Sequence, residues 1–163
     1  MSGYTGNILS VNLTEGTTEI IPTDMELAEN FMGGAGYACA TLFPLIDKDT
    51  DPLGPENVLM FMTGPMTGTM ATSTGRMVAC AKSPLSGIWG ESNCGTHACL
   101  SIKKAGYEGF IIKGASKNPV YLEIVDNNVE IKDASEIWGK NIYETTQKLK
   151  NSDELAQARV IAI

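Results

Sequence analysis

The chain has 163 residues, 43% of them hydrophobic, enough for one domain with a real core. Twelve Lys and Arg against 19 Asp and Glu leave a formal net charge of −7; this removes the basic footprint of a nucleic-acid binder, so an anionic ligand would need backbone amides and a few placed cations. Residues 1–6 lack the charged and apolar segments of a secretory leader, no apolar run reaches the ~20 residues that span a bilayer, and the four cysteines are too few and irregular for a disulfide framework, so a cytoplasmic protein is expected.

In chain order, residues 7–13 (NILSVNL) and 17–21 (TTEII) flank Thr14-Glu15-Gly16 and predict a β-hairpin that Pro22 ends. Thr23 or Asp24 can cap a helix from Met25, with Glu26 in its first turn. Gly33-Gly34-Ala35-Gly36 interrupts, and a second helix over 37–43 stops at Pro44. Residues 47–55 form a polar loop. The apolar runs 58–62, 77–81 and 110–114 predict buried strands, and 87–92 a further one. Residues 96–105 predict a helix ending at Gly106, with Lys103 and Lys104 in its last turn where cations are favoured. Residues 120–125 and 128–131 around Asp126-Asn127 predict a second hairpin, followed by a helical turn over 134–139 and a helix over 142–150 capped by Asn141. Residues 159–163 (RVIAI) predict a last strand.

These elements give an α+β fold rather than a regular βαβ alternation. The order hairpin, helix, strand occurs twice, at 7–63 and at 120–163, which predicts an internal duplication. The second pass stops on its strand, where the first leads into Gly64-Pro65-Met66-Thr67-Gly68. The expectation is a single domain over 1–163 that is a fragment of a longer parent, its second half truncated.

Between Met62 and Cys99 lie loops dense in Gly, Thr, Ser and Pro, with Arg76 the only arginine among them. Their free N–H groups and hydroxyls suit a phosphorylated, polar cofactor. Several segments in this order resemble the aldehyde:ferredoxin oxidoreductase family: Val11-Asn12-Leu13-Thr14-Glu15-Gly16, Gly33-Gly34-Ala35-Gly36-Tyr37, Asp51-Pro52-Leu53-Gly54-Pro55-Glu56-Asn57, Thr63-Gly64-Pro65-Met66-Thr67-Gly68-Thr69, Gly75-Arg76, Lys82-Ser83-Pro84-Leu85-Ser86-Gly87, Lys104-Ala105-Gly106-Tyr107-Glu108-Gly109 and Lys132-Asp133-Ala134-Ser135-Glu136-Ile137-Trp138-Gly139. The resemblance covers essentially the whole chain and corresponds to the family's N-terminal domain.

It implies an internally duplicated base on which two pterin-dithiolene cofactors share one tungsten or molybdenum atom. Cofactor contacts map onto Arg76, Asn93 and Gly95, with support from Thr67, Gly68 and Thr74. A magnesium ion bridging the cofactor phosphates is implied near Asn93. The parent would oxidise aldehydes to carboxylates and pass electrons through a [4Fe-4S] cluster, ligated outside this chain, to ferredoxin, with a homodimer as a possible assembly. This chain alone would be inactive. The other reading is a non-catalytic, stand-alone paralogue acting as an interaction module or pterin carrier. One departure is local: many members have small residues, commonly a serine and a second glycine, where this chain has Cys94 and Thr96-His97-Ala98-Cys99. The substrate therefore stays open.

The bland alternatives are concrete. Arg76 could be a surface arginine paired with a carboxylate. Asn93, ahead of the expected helix, could be its N-cap, a role compatible with an anion at the same helix end. Cys94, His97 and Cys99 lack the four-ligand arrangement that zinc wants. Cys39, Cys80 and Cys99 read as buried small hydrophobes, Cys94 as a residue near the cofactor, lone His97 as structural, and the methionines around 60–70 as core filler. Gly33-Gly34-Ala35-Gly36 lacks the strand before it that a dinucleotide fingerprint requires and reads instead as a close backbone approach near the cofactor or a domain interface.

Overall fold

A computed structural model describes residues 3–126, 128–151 and 155–162. Residues 1 and 2 of the leader reading, Asn127 of the expected turn and the terminal Ile163 lie outside the described residues. The chain divides into two compact units, one ending at Ser116 and the other starting at Lys117.

The first unit is built on a six-stranded sheet. Its opening hairpin pairs β1 (Asn7–Asn12) with β2 (Thr17–Pro22), and Asn12 accepts bonds from the N–H groups of Thr14 and Glu15, 3.1 and 3.3 Å away, to close the turn. Two helices follow, α1 (Met25–Phe31) and α2 (Gly34–Leu42). Next come β3 (Val58–Thr63), β4 (Arg76–Lys82), β5 (Trp89–Gly95), α3 (His97–Lys104) and β6 (Gly109–Lys113). The strand order is β2-β1-β6-β3-β4-β5. Only β1 and β6 run parallel, and every other ladder is antiparallel, so β5 is an edge strand.

Period-two side chains place Ile8, Val58, Met60, Met62, Val78, Cys80 and Ile111 in one core with Ala28, Tyr37, Ala38 and Leu42 of the two helices. Asp24 caps α1 by accepting from the Leu27 N–H at 3.0 Å. Desolvation in this core raises the Tyr37 hydroxyl above its ordinary range and pushes the Cys80 thiol up to about 12.

Several expectations need correction. The glycine-rich segment does not delay α2 to Tyr37; it forms the first turn, and the break from α1 is at Met32, whose φ is 61°. Asn93 is not a helix cap. β5 continues through it to Gly95, and Thr96 caps α3 by accepting from the Ala98 N–H at 3.3 Å. Cys39 is exposed, because it lies on the outer side of α2. Met60 and Met62 fill the core, but Met66 and Met70 sit on an exposed loop.

The second unit contains the hairpin of β7 (Val120–Val125) with β8 (Asn128–Asp133) and the helix α4 (Ile142–Leu149). Asp126 takes the left-handed conformation at the hairpin turn. Lys132 bridges Glu123 and Glu130 along the hairpin, and a full capping box joins Asn141 and Glu144 at the start of α4. The expected strand over 159–163 is not formed at 159–162. An apolar run becomes a strand only where a neighbour satisfies its N–H and C=O groups, and no described strand pairs with it. The second pass therefore goes no further than hairpin and helix, and a duplication is not seen.

Candidate functional site

At one end of the first sheet, four chain segments converge. They are the end of β3 with its following loop to Gly75, the start of β4, the end of β5 with the start of α3, and the N-terminal residues 3–5. The β4–β5 register brings the resemblance-derived residues together. Arg76 pairs with Gly95, and Val78 pairs with Asn93. Directly paired residues project from the same side of a sheet, as do residues two apart along a strand. Arg76, Gly95 and Asn93 therefore share one face, with Gly95 as the gap beside the arginine. A Cβ on Gly95 would meet only the Gly75 carbonyl, at 3.9 Å, and one on Gly64 would meet nothing within 4 Å. These positions leave bare backbone open to a ligand.

The Arg76 guanidinium is exposed, and no carboxylate among the described residues lies within ion-pair distance of it. The paired-surface-arginine reading is thus not what the structure holds. The Asn93 amide donates to Glu91 Oε1 at 2.7 Å, which turns its own oxygen away from that partner. All five residues from Glu91 to Gly95 are exposed. This end of the edge strand therefore leaves its Arg76-facing side open.

Thr67, Gly68 and Thr74 belong to the same cluster but act differently from one another. Thr67 is buried, and its hydroxyl lies 2.9 Å from the Thr74 carbonyl and 3.2 Å from that of Arg76. It ties the loop to the first residue of β4. The Thr74 hydroxyl donates to the Ala71 carbonyl at 3.1 Å. Gly68 is exposed at φ 79°, a left-handed conformation that favours glycine. Gly33 approaches the same loop, since its Cβ would stand 3.0 Å from Pro65 Cδ. The glycine-rich segment thus makes a close backbone approach to the 63–65 segment.

Two helices begin at this end of the sheet: α3 beside Gly75, and α2 beside Pro65, where Gly33 provides no side-chain cap. Free N–H groups and the positive end of the helix dipole favour an anion. Cys94 pairs with Met77 and so projects from the opposite face to Arg76 and Asn93. No group of three or more His, Cys, Asp or Glu among the described residues could hold a metal ion. A groove of about 1020 Å³ runs along the α2 face past Pro22, Tyr37, Pro44 and Lys113, and it includes none of the candidate residues.

Comparison with known proteins fixes the relationship. The model of the aldehyde ferredoxin oxidoreductase N-terminal domain matches residues 8–163. The chain belongs to this family. It is 45% identical to the tungsten-containing aldehyde ferredoxin oxidoreductase of Pyrococcus abyssi over 92% of this chain and 25% of the relative. Against the enzyme of that name in Pyrococcus furiosus it is 37% identical over 100% of this chain and 27% of the relative. An aliphatic sulfonate oxidoreductase, WOR-like subunit, from Pyrococcus furiosus is 37% identical over 91% of this chain and 24% of the relative. Among solved structures, the active site complex BamBC of benzoyl coenzyme A reductase matches with a TM-score of 0.92 and 36% identity, covering 98% of this chain and 24% of that one. The chain thus spans about a quarter of the length of the relatives it matches. It is part of an oxidoreductase family, and no described helix is long and apolar enough to cross a membrane.

Sequence reasoning missed one participant. Lys103 read only as a cation favoured in the last turn of a helix, yet it is buried and paired with Glu108, which is buried too. The available signal was Lys and Glu five apart across the helix-ending Gly106.

Proposed function

We propose that this domain is the base on which a tungsten- or molybdenum-bis-pterin cofactor lies. The observation that carries the reading is the Arg76–Gly95–Asn93 face: an arginine with no carboxylate partner among the described residues, beside bare backbone, on an exposed edge strand. The arginine's planar fork would bind a phosphate or a ring carbonyl in two-point fashion. Asn93 would orient the cofactor or offer its oxygen to a magnesium ion, which keeps most of its waters and takes one or two protein groups. N–H groups at the starts of α2 and α3 would receive negative charge. Thr67 and Gly68 would hold the loop in shape beneath the ligand, with Thr74 fixing the turn.

When bound, the metal–pterin centre supplies the two-electron redox chemistry, and the protein's part is to bind and orient it. For the whole enzyme, the proposed reaction is oxidation of an aldehyde to a carboxylate with ferredoxin as electron acceptor. A [4Fe-4S] cluster would then be ligated outside this chain. The relatives carry names for different substrates, which agrees with a shared cofactor base whose substrate choice is made elsewhere. No observation favours the non-catalytic interaction module.

The test is metal analysis and release of a fluorescent pterin from natively expressed, full-length protein. Arg76→Ala and Asn93→Ala should each lower metal and pterin content. Wild-type protein without tungsten, molybdenum or pterin would sink the reading.

A further inference from the structure

The segment Lys104-Ala105-Gly106-Tyr107-Glu108-Gly109 has no part in the cofactor surface itself, yet every turn of it is built. Gly106, at φ 88°, ends α3, and its N–H donates to the Lys103 carbonyl at 3.0 Å. Tyr107 is buried edge-on to Phe110. A Cβ on Gly109 would overlap the Phe61 carbonyl, so β6 can approach β3 only without a side chain there. Between these residues the chain folds Glu108 back under α3 onto Lys103. Both side chains are at least nine-tenths buried, at 5% and 4% exposure.

Lys103 and Glu108 meet the 64–68 loop at both of its ends, through backbone as well as side-chain atoms. The Glu108 carbonyl accepts from the Thr63 N–H at 2.9 Å and from the Thr63 hydroxyl at 2.7 Å. Its carboxylate accepts from Lys103, from the Thr5 N–H and from the Thr5 hydroxyl, the last at 2.9 Å. The Lys103 ammonium also donates to the Gly3 carbonyl at 3.0 Å. Its stem supports the far end of the loop: a Cβ on Gly68 would lie 3.1 Å from the Lys103 Cβ. Gly3, held in this way, packs against Pro65 so closely that a Cβ there would overlap the Pro65 carbonyl. Thr67 then passes the constraint to the backbone of Arg76.

We propose that the buried Lys103–Glu108 ion pair is the positioning element of the cofactor surface, setting the 64–68 loop and, through it, the start of β4 that carries Arg76. The proposal rests on the cofactor reading given above. Desolvation offsets most of the attraction within a buried charge pair, so the pair adds little net stability, whereas removing one partner strands the other.

The test uses full-length protein from a host that supplies the metal and pterin. Glu108→Gln and Lys103→Met are compared with wild type, with Arg76→Ala, and with Leu42→Ala, which opens a cavity in the core behind α2. Pterin and metal per folded protein are measured alongside melting temperature. Expected is a several-fold loss of pterin in Glu108→Gln and Lys103→Met, with near-wild-type pterin in Leu42→Ala at an equal or larger drop in melting temperature. Equal pterin loss in Leu42→Ala at matched stability, or full retention in both ion-pair variants, overturns the proposal. Thr5→Val removes one bond to the carboxylate while keeping both charges; it should give a smaller loss of the same sign, and keeps the test decisive if the other variants do not accumulate. No loss in Thr5→Val then counts against the proposal. Loss in Arg76→Ala with none in the ion-pair variants defeats this inference alone, whereas retention in Arg76→Ala defeats the cofactor reading and takes this inference with it.

Discussion

Arg76 and Gly95 stand directly opposite one another across the β4–β5 ladder, so the only arginine of the glycine-rich stretch faces a β5 position that offers no side chain. The pairing separates two roles that substitution can test independently. The Arg76 side chain is exposed and makes no ion pair among the described residues, so Arg76→Ala should change folding stability by less than about 0.5 kcal/mol, as for ordinary surface sites. Cofactor content should nevertheless fall. Arg76→Lys keeps the charge but loses the two-point fork, and should recover only part of it. Denaturant titration and pterin release on the same samples check both halves.

The two glycines Gly95 and Gly109 make opposite predictions. Gly95 has open space around its missing Cβ, whereas Gly109 is in contact with the β3 backbone. Gly95→Val should fold with near-normal stability and lose cofactor, because the new side chain fills the gap beside Arg76. Gly109→Ala forces β6 away from Phe61 and should cost about 3 kcal/mol, at the upper end of overpacking penalties. Equal stability losses in the two variants would contradict this reading.

What could be read from residues alone follows from how local each signal is. The β1–β2 hairpin, the apolar runs of β3 and β6, and the caps Asp24 and Asn141 announce themselves within a few residues. β5 did not show its full length, because an edge strand exposed on both faces needs no apolar alternation at Asn93, Cys94 and Gly95. Residues 159–162 failed the other way: their composition suits a strand, but pairing is a property of the neighbour. The membership of Arg76, Asn93 and Gly95 in one site came from family resemblance. Their shared face came only with the register, which is a tertiary fact. Lys103 was hidden for a similar reason, since the C-terminal turn of a helix looks the same in sequence whether its lysine meets water or a buried glutamate.

Lys82 makes a prediction at the opposite end of the same strand. It is 6% exposed, and its ammonium donates to the carbonyls of Asp47, Lys48 and Thr50 at 2.9, 2.8 and 2.7 Å. Asn57 adds bonds to the Pro52 and Lys82 carbonyls at 2.8 and 3.0 Å. Lys82→Met leaves three carbonyls without their cationic donor and should destabilise by about 3 kcal/mol, given the usual worth of hydrogen bonds to charged groups. The 47–55 loop should also become the first site of limited proteolysis. A variant as protease-resistant as wild type would refute the anchoring role.

Within that loop, Asp47 provides a pH test with a defined sign. Its carboxyl is held below the ordinary aspartate value of 3.8, first by the Thr50 hydroxyl and then by the N–H groups of Asp49 and Thr50. A lowered folded-state pKa means that the stabilising contribution is present above the unfolded value and is lost as pH falls through the folded one. The loop should therefore loosen only below about pH 4. Thr50→Val removes the largest cause and should move the Asp47 titration midpoint upward, toward 3.8. Carboxyl carbon NMR across the acid range reads this directly, and an unchanged midpoint would remove Thr50 as the cause.

The four thiols divide by environment rather than by sequence neighbourhood. Cys39 and Cys94 are exposed, while Cys80 and Cys99 are buried. Burial first, and then the charge of Glu91, push the Cys80 thiol up to about 12. At pH 8 Cys80 would therefore be almost wholly protonated, and the thiolate is the reactive form. In the native 163-residue chain a thiol reagent at pH 8 should therefore label Cys39 and Cys94 rapidly, and Cys80 and Cys99 only on unfolding. Cys94 projects from the face opposite Arg76. Alkylating it with a small reagent before reconstitution of the full-length protein should thus leave pterin content largely intact, whereas a bulky group at Asn93, introduced through Asn93→Cys, should abolish it. Peptide mapping by mass spectrometry assigns the labelled thiols. Equal pterin loss from modification at 93 and at 94 would place the ligand on both faces of β5 and contradict the one-sided site built here.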